Sequence, residues 1–240
     1  MTETTPFTPF GISHWTTFAV ILLVSIGVPL WLRRSGSERL IRAIAVTVGV
    51  LAALHELIKT WASMVIWDQP VGRSLPLEIC GVAVFLTAAL LIWRRYRVYE
   101  VVYFWGLAGG LQALLTPEVP YDFPHPFFIT FFLSHGVILF GLFYATLAFR
   151  LRPTWSSVPR VFAITLFYAF VIVAPLNLLL DSNYMFLRGK PATESVLDLF
   201  GPWPWYIAGA AGFTLASFVF YYLPFWIGDL LGRRHQRVRR

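Results

Sequence analysis

The stretch Phe127-Phe128-Ile129-Thr130-Phe131-Phe132-Leu133-Ser134-His135-Gly136-Val137-Ile138-Leu139-Phe140-Gly141-Leu142-Phe143-Tyr144-Ala145-Thr146-Leu147-Ala148-Phe149 contains no Asp, Glu, Lys or Arg, and Arg150-Leu151-Arg152 follows it. As a helix it would be roughly 34 Å long, enough to cross a hydrocarbon core of about 30 Å. Apolar windows of the same kind lie near 15–33, 42–66, 76–93, 98–115, 160–180 and 204–229. Together with 127–149 they predict an all-α, polytopic membrane bundle of seven transmembrane helices.

Composition agrees. The 240 residues are 58% hydrophobic and 13% charged, against roughly a quarter charged in an average soluble domain. So large an apolar fraction cannot be hidden in a soluble globule of this size. No hydrophilic stretch is long enough for a separate domain, so residues 1–240 are expected to form a single integral membrane domain. The net charge of +7 falls in short clusters between apolar windows, which is how orientation in a membrane is encoded rather than how nucleic acid is bound. The one cysteine can form neither an internal disulfide nor a zinc constellation, so no metal and no cofactor is expected.

Orientation follows from the basic residues. Arg33, Arg34, Arg39 and Arg42 follow the first window, and Arg94, Arg95 and Arg97 follow the third. Arg150, Arg152 and Arg160 follow the fifth, and Arg233, Arg234, Arg237, Arg239 and Arg240 the seventh. Fifteen of the nineteen Lys and Arg therefore share one side. The positive-inside rule makes that side cytoplasmic, with the amino terminus outside and the carboxyl terminus inside. An odd number of spans is required, and seven satisfies it. Residues 1 to 14 hold no Lys or Arg, so the first window is expected to be retained as a helix rather than cleaved as a signal peptide.

Ionisable groups within hydrocarbon cost several kcal/mol and are functional candidates by default. The second window carries His55, Glu56 and Lys59, at spacings that let them share one helix face. The third adds Glu78 and Cys80, the fourth Gln112, the fifth Thr130, Ser134 and His135, and the sixth Asn177. Under the assigned topology Cys80 lies roughly 6 Å and His135 roughly 12 Å below the outer ends of their helices. The polar side chains thus converge on the outer leaflet, while the inner halves are nearly pure aliphatic and aromatic. Gly106-x-x-x-Gly110 in the fourth window is a spacing that lets another helix approach closely.

A lone thiol and a lone imidazole at matched depth read as a nucleophile and its base. Glu78 or Glu56 would orient the ring, and amide donors from Gln112 or Asn177 would stabilise an oxyanion. Beside this stands a plainer alternative, a packed cysteine and a histidine satisfied by a local hydrogen bond. A third alternative is a secondary transporter or proton-coupled permease built on the Glu56, Lys59, Glu78 and His135 cluster. Against it, the sequence shows no inverted repeat and no matched pair of broken helices.

Several short motifs carry a resemblance. They are Leu75-Pro76-Leu77-Glu78-Ile79-Cys80, Gly110-Leu111-Gln112-Ala113-Leu114-Leu115-Thr116-Pro117, Phe132-Leu133-Ser134-His135-Gly136, Asn183-Tyr184-Met185-Phe186-Leu187 with Lys190-Pro191, and Asp198-Leu199-Phe200-Gly201-Pro202-Trp203-Pro204-Trp205-Tyr206. Together they resemble the YwaF-type bacterial integral membrane proteins, a group similar to the animal transmembrane protein 164. That resemblance implies a phospholipid acyltransferase with an active-site Cys and His, whose counterparts would be Cys80 and His135. Distant relatives are lipid hydrolases that keep the His and use a hydroxyl nucleophile. The implied partners are a phospholipid or lysophospholipid substrate and the lipid bilayer, with no nucleic acid and the oligomeric state open. The implied location is the plasma membrane, as a bacterial inner (cytoplasmic) membrane protein. Asn183, Tyr184, Trp203 and Trp205 sit in the long connection 181–205 and are expected to cover the cavity.

Overall fold

The computed structural model describes residues 5–191 and 195–238, with side chains through 231. Of the basic cluster 233–240, the side chains of Arg233, Arg234 and Arg237 lie outside the described part, and Arg239 and Arg240 lie outside it altogether. Each apolar window is a helix: α1 (Ile12–Ser35), α2 (Glu38–Val65), α3 (Ile79–Trp93), α4 (Tyr96–Leu115), α5 (Pro126–Leu147), α6 (Ser157–Leu179) and α7 (Trp205–Val238). Six of these are long and apolar enough to cross a membrane.

The exception is α3, whose 15 residues extend only about 22 Å. It was expected from residue 76 and begins three residues later. Pro76 disfavours helical geometry at Leu75, the Leu77 N–H turns back to the Leu75 carbonyl at 2.8 Å, and Glu78, the residue before the first helical one, is extended (φ −64°, ψ 149°). A Cβ on Gly81 would lie 2.9 Å from Pro76. The Leu75–Glu78 segment therefore folds over the first turn of α3, and only glycine at position 81 leaves it room.

The helices fall into two compact units, α1 to α5 in one, and α6 and α7 with Val71–Arg73 in the other. In the first, close glycine contacts set the register. Gly49 of α2 packs 3.0 Å from the Ala88 carbonyl of α3, and Gly136 of α5 packs 3.2 Å from Ile21 of α1, each measured from the position of an added Cβ. Gly106 and Gly110 of α4 pack at 3.2 and 3.4 Å on Ile138 of α5, the close approach their spacing predicted. Gly141 of α5 faces Thr87 of α3, whose methyl occupies the space a Cβ would need. Below this level Leu32, Ile41, Ala45, Leu91, Phe140, Tyr144 and Ala148 form a buried core. Tyr144 locks it by donating a 2.6 Å hydrogen bond to the Ile41 carbonyl.

Two helices are locally widened to a π pattern, α4 at Gly106–Leu111 and α6 at Tyr168–Val173. The second lies just before Pro175, which has no N–H to give the regular ladder. The amino-terminal segment is clipped to the first unit. His14 is fully buried, accepts from the Phe10 N–H at Nδ1 (3.0 Å) and so donates from Nε2 to the Leu114 carbonyl (2.8 Å). Both ring nitrogens are thereby committed to structure.

Gly141→Ala should lower the thermal midpoint of the detergent-solubilised protein, at a cost of about 1–3 kcal/mol for overpacking against a stiff β-branched neighbour. Gly27→Ala, where an added Cβ meets nothing within 4 Å, should leave the midpoint unchanged or raise it. Equal midpoints for the two variants would show that the α3–α5 contact does not limit stability.

Candidate functional site

The register follows from the helix contacts. Gly109 of α4 sits 3.8 Å from the Cys80 sulfur, measured from an added Cβ, so α4 returns antiparallel to α3 through the short Arg94–Arg95 turn. Gly106 touches Leu142 and Ile138, and Gly110 touches Ile138, so α5 in turn runs antiparallel to α4 and parallel to α3. Seven residues before Thr87 on α3 is Cys80, and seven before its partner Gly141 on α5 is Ser134. Cys80, second residue of α3, therefore stands level with Ser134 and His135 at about the same height along the helices.

α2 supplies the charges. Ten residues beyond Gly49 is Lys59, and ten before its partner Ala88 is Glu78, so Lys59 reaches the start of α3. The Glu56 carboxylate is fully buried and pairs with the Lys59 ammonium at 2.6 Å, while the Lys59 side chain is 30% exposed. The other Glu56 oxygen accepts a long hydrogen bond from Ser134 Oγ, 3.4 Å, and Ser134 Oγ stands 3.0 Å from His55 Nε2. A carboxylate only accepts, so the single Ser134 proton points to Glu56 and the His55 Nε2–H donates to Ser134.

His135 is buried on α5, and its Nδ1 lies 2.8 Å from the Phe131 carbonyl. A carbonyl cannot donate, so Nδ1 carries the hydrogen and the Nε2 lone pair is left available for another proton. Glu78 is exposed at the head of α3. Gln112 is exposed on α4 and donates to Thr116 Oγ1 at 3.1 Å. An apolar cavity of about 460 Å³ lies against α1, α2 and α5, with Ile21, Val24, Leu133, Gly136 and Phe140 among its lining residues. Val48 of α2 also lines it, and none of His55, Glu56, Lys59, Cys80, Ser134 and His135 does.

The remaining predicted residues belong to the second unit, where they organise their own loop. Asn177 is fully buried; its Oδ1 accepts from Tyr184 N–H (2.8 Å) and Ser182 Oγ (2.9 Å), and its Nδ2 donates to the Tyr184 carbonyl (3.0 Å). Asn183 repeats the pattern, accepting from the backbone of Arg188 and Gly189 and donating to the Gly189 carbonyl. Trp203 donates to the Leu187 carbonyl at 3.1 Å, Tyr206 donates to the Phe186 carbonyl, and Trp205 is 71% exposed. Tyr184 is buried in the turn.

One member of the cluster was not singled out from the sequence. Ser134 was noted only as a polar residue on the fifth window, yet it joins His55 to Glu56 across two helices. The usable signal was depth, since Ser134 stands on the same turn as His135 and at the height of the α2 charges.

A chain whose described residues form helices without a named strand, six of those helices suited to crossing a bilayer, and hold a polar cluster between α2 and α5 is a polytopic membrane protein. The sequence profile of the TMEM164 family matches residues 9–222, and the chain belongs to that family. No curated protein and no solved structure matches the sequence.

Asn177→Ala should destabilise the second unit by about 1–3 kcal/mol, because the buried Tyr184 N–H loses its acceptor. The thermal midpoint and proteolysis of the 181–205 connection report it, and an unchanged cleavage rate would remove Asn177 as the anchor. The loop also carries an acid-sensitive contact. The Ser195 N–H and the Lys190 ammonium hold the Asp198 carboxyl below its usual range. Its contribution is therefore complete at neutral pH and lost as pH falls through that lowered value. Cleavage in this connection should accelerate on acidification, and less so in Asp198→Asn.

Proposed function

We propose that the protein is a membrane-embedded acyl-transfer enzyme acting on phospholipid esters, with Cys80 as nucleophile and His135 as general base. The observation that supports this best is the matched height of Cys80 and His135 on parallel helices, with His135 Nδ1 committed to the Phe131 carbonyl and Nε2 left open. In this mechanism Nε2 takes the thiol proton as sulfur attacks the ester carbonyl carbon. The tetrahedral intermediate collapses, the carbon–oxygen bond breaks, and His135 returns the proton to the departing lysolipid oxygen. A second hydroxyl, from a lysophospholipid or water, then attacks the thioester, the carbon–sulfur bond breaks, and the proton returns to sulfur. The first outcome is transfer and the second hydrolysis.

Seven spans, an outside amino terminus, action as one integral membrane domain and location in a bacterial cytoplasmic membrane belong to the same proposal. They draw on the fifteen basic residues on one side and the positive-inside rule. α3 spans within this scheme as a short helix extended by the segment folded over its first turn.

The test is purified protein in vesicles with a labelled phospholipid and an unlabelled lysophospholipid. Wild type should move label to the acceptor or release it as free fatty acid. Cys80→Ala should fall to background, and His135→Gln should fall by roughly 10²–10⁴-fold. Undiminished turnover in Cys80→Ala would eliminate the thiol as nucleophile. The same vesicles read out the transporter alternative, which a substrate-linked proton flux retained in Cys80→Ala would support.

A further inference from the structure

A buried carboxylate is stable only with a partner, and Glu56 has two, Lys59 at 2.6 Å and Ser134 at 3.4 Å. Together with His55 they make a chain with one direction: His55 Nε2–H to Ser134, Ser134 O–H to Glu56, and Glu56 to the Lys59 ammonium. Ser134 comes from α5 and the other three from α2, so its hydroxyl is a clamp between helices. Glu56 is held by this clamp on one oxygen and by Lys59 on the other. Lys59 is thereby held in place, with two of its three N–H donors left over.

Its placement is what matters chemically. By the Gly49–Ala88 register Lys59 stands level with Glu78, two residues before Cys80 at the start of α3, and its partner Glu56 bonds Ser134, the neighbour of His135. Glu56 of this cluster and Glu78 at the start of α3 are both acidic. We propose that Lys59 is the cation that stabilises negative charge at the Cys80 sulfur, and that Ser134 is the positioning residue that fixes Lys59 through Glu56. The role rests on Cys80 being the reacting atom. In the acyl-transfer mechanism the same ammonium faces first the thiolate and then the oxyanion of the tetrahedral intermediate, where charge develops in a water-poor site.

The single cysteine makes the test direct, because alkylation of the intact chain reports Cys80 alone. Iodoacetamide labelling of the full-length protein in nanodiscs at one fixed pH should slow roughly tenfold or more in Lys59→Gln. Lys59→Arg, which keeps the charge, should recover most of the rate. Ser134→Ala should slow labelling less than Lys59→Gln does, and Ser134→Thr, which keeps the hydroxyl, should restore it. A merely structural role predicts no such recovery by the conservative variants. Should Lys59→Gln fail to fold for want of a partner to Glu56, the Glu56→Gln/Lys59→Gln double variant is compared with Glu56→Gln alone, and slower labelling in the double variant reports the ammonium. Unchanged labelling in a folded variant lacking the ammonium overturns the proposal.

The alkylation readout is independent of turnover. Slowed labelling together with a wild type that transfers no acyl groups keeps the role of Lys59 and removes the acyl-transfer mechanism. Turnover by wild type with unaltered labelling does the reverse.

Discussion

The contact between Gly141 and Thr87 is the constraint from which the first unit takes its register. A side chain at position 141 would occupy the space of the Thr87 methyl, so α3 and α5 approach as closely as two helices can only because one of them offers bare backbone there. Sliding either helix by one turn, about 5.4 Å, would set Thr87 against Val137 and Ile138 or against Tyr144 and Ala145, and separate Cys80 from the turn that carries Ser134 and His135. Gly49 against Ala88 does the same for α2 and α3, and Gly106 with Gly110 for α4 and α5. Small residues thus do in this bundle what a large apolar interface does in water, because lipid gives helices no hydrophobic reason to associate.

On that register is hung a polar cluster that would be unstable elsewhere in the chain. Glu56 is fully buried, and removing one partner of such a group leaves an uncompensated charge, a loss of about 3–5 kcal/mol in buried pairs. The cluster is therefore held by the fold and in return restrains α2 against α5. The helix that carries Cys80 begins only after the turn at residues 75–77 and the extended Glu78, and this sets the thiol at the first turn of α3 rather than deeper within it. The second unit is organised on a different principle. Its connection is held by side-chain amides, Asn177 and Asn183, each supplying both donor and acceptor to backbone groups that no helix satisfies.

Much of this was legible in the residues alone. Seven apolar windows became seven helices, with boundaries mostly within a few residues, because a run of about twenty apolar residues has few alternatives to a helix when no water is present to satisfy its backbone. The pairing of Glu56 with Lys59 also followed from spacing, since three residues on one helix bring side chains together without help from any other element. The close approach at Gly106 and Gly110 was likewise visible as a pattern, though its partner was not. Asn177 and Gln112 were read as amide donors for an oxyanion on their depth. The structure commits every polar atom of Asn177 except one N–H to a turn and leaves Gln112 exposed beside Thr116.

The sequence by itself determined that the chain is helical and membrane-embedded, since composition, run length and the placing of charge are properties of the chain alone. It also determined which few ionisable side chains the apolar helices must accommodate. Only the tertiary structure decided which of them meet. Whether Ser134 bonds to Glu56 and which residues stand level with Cys80 depend on helix register. That register is set by van der Waals contacts at single glycines, whose partners lie dozens of residues away in the chain.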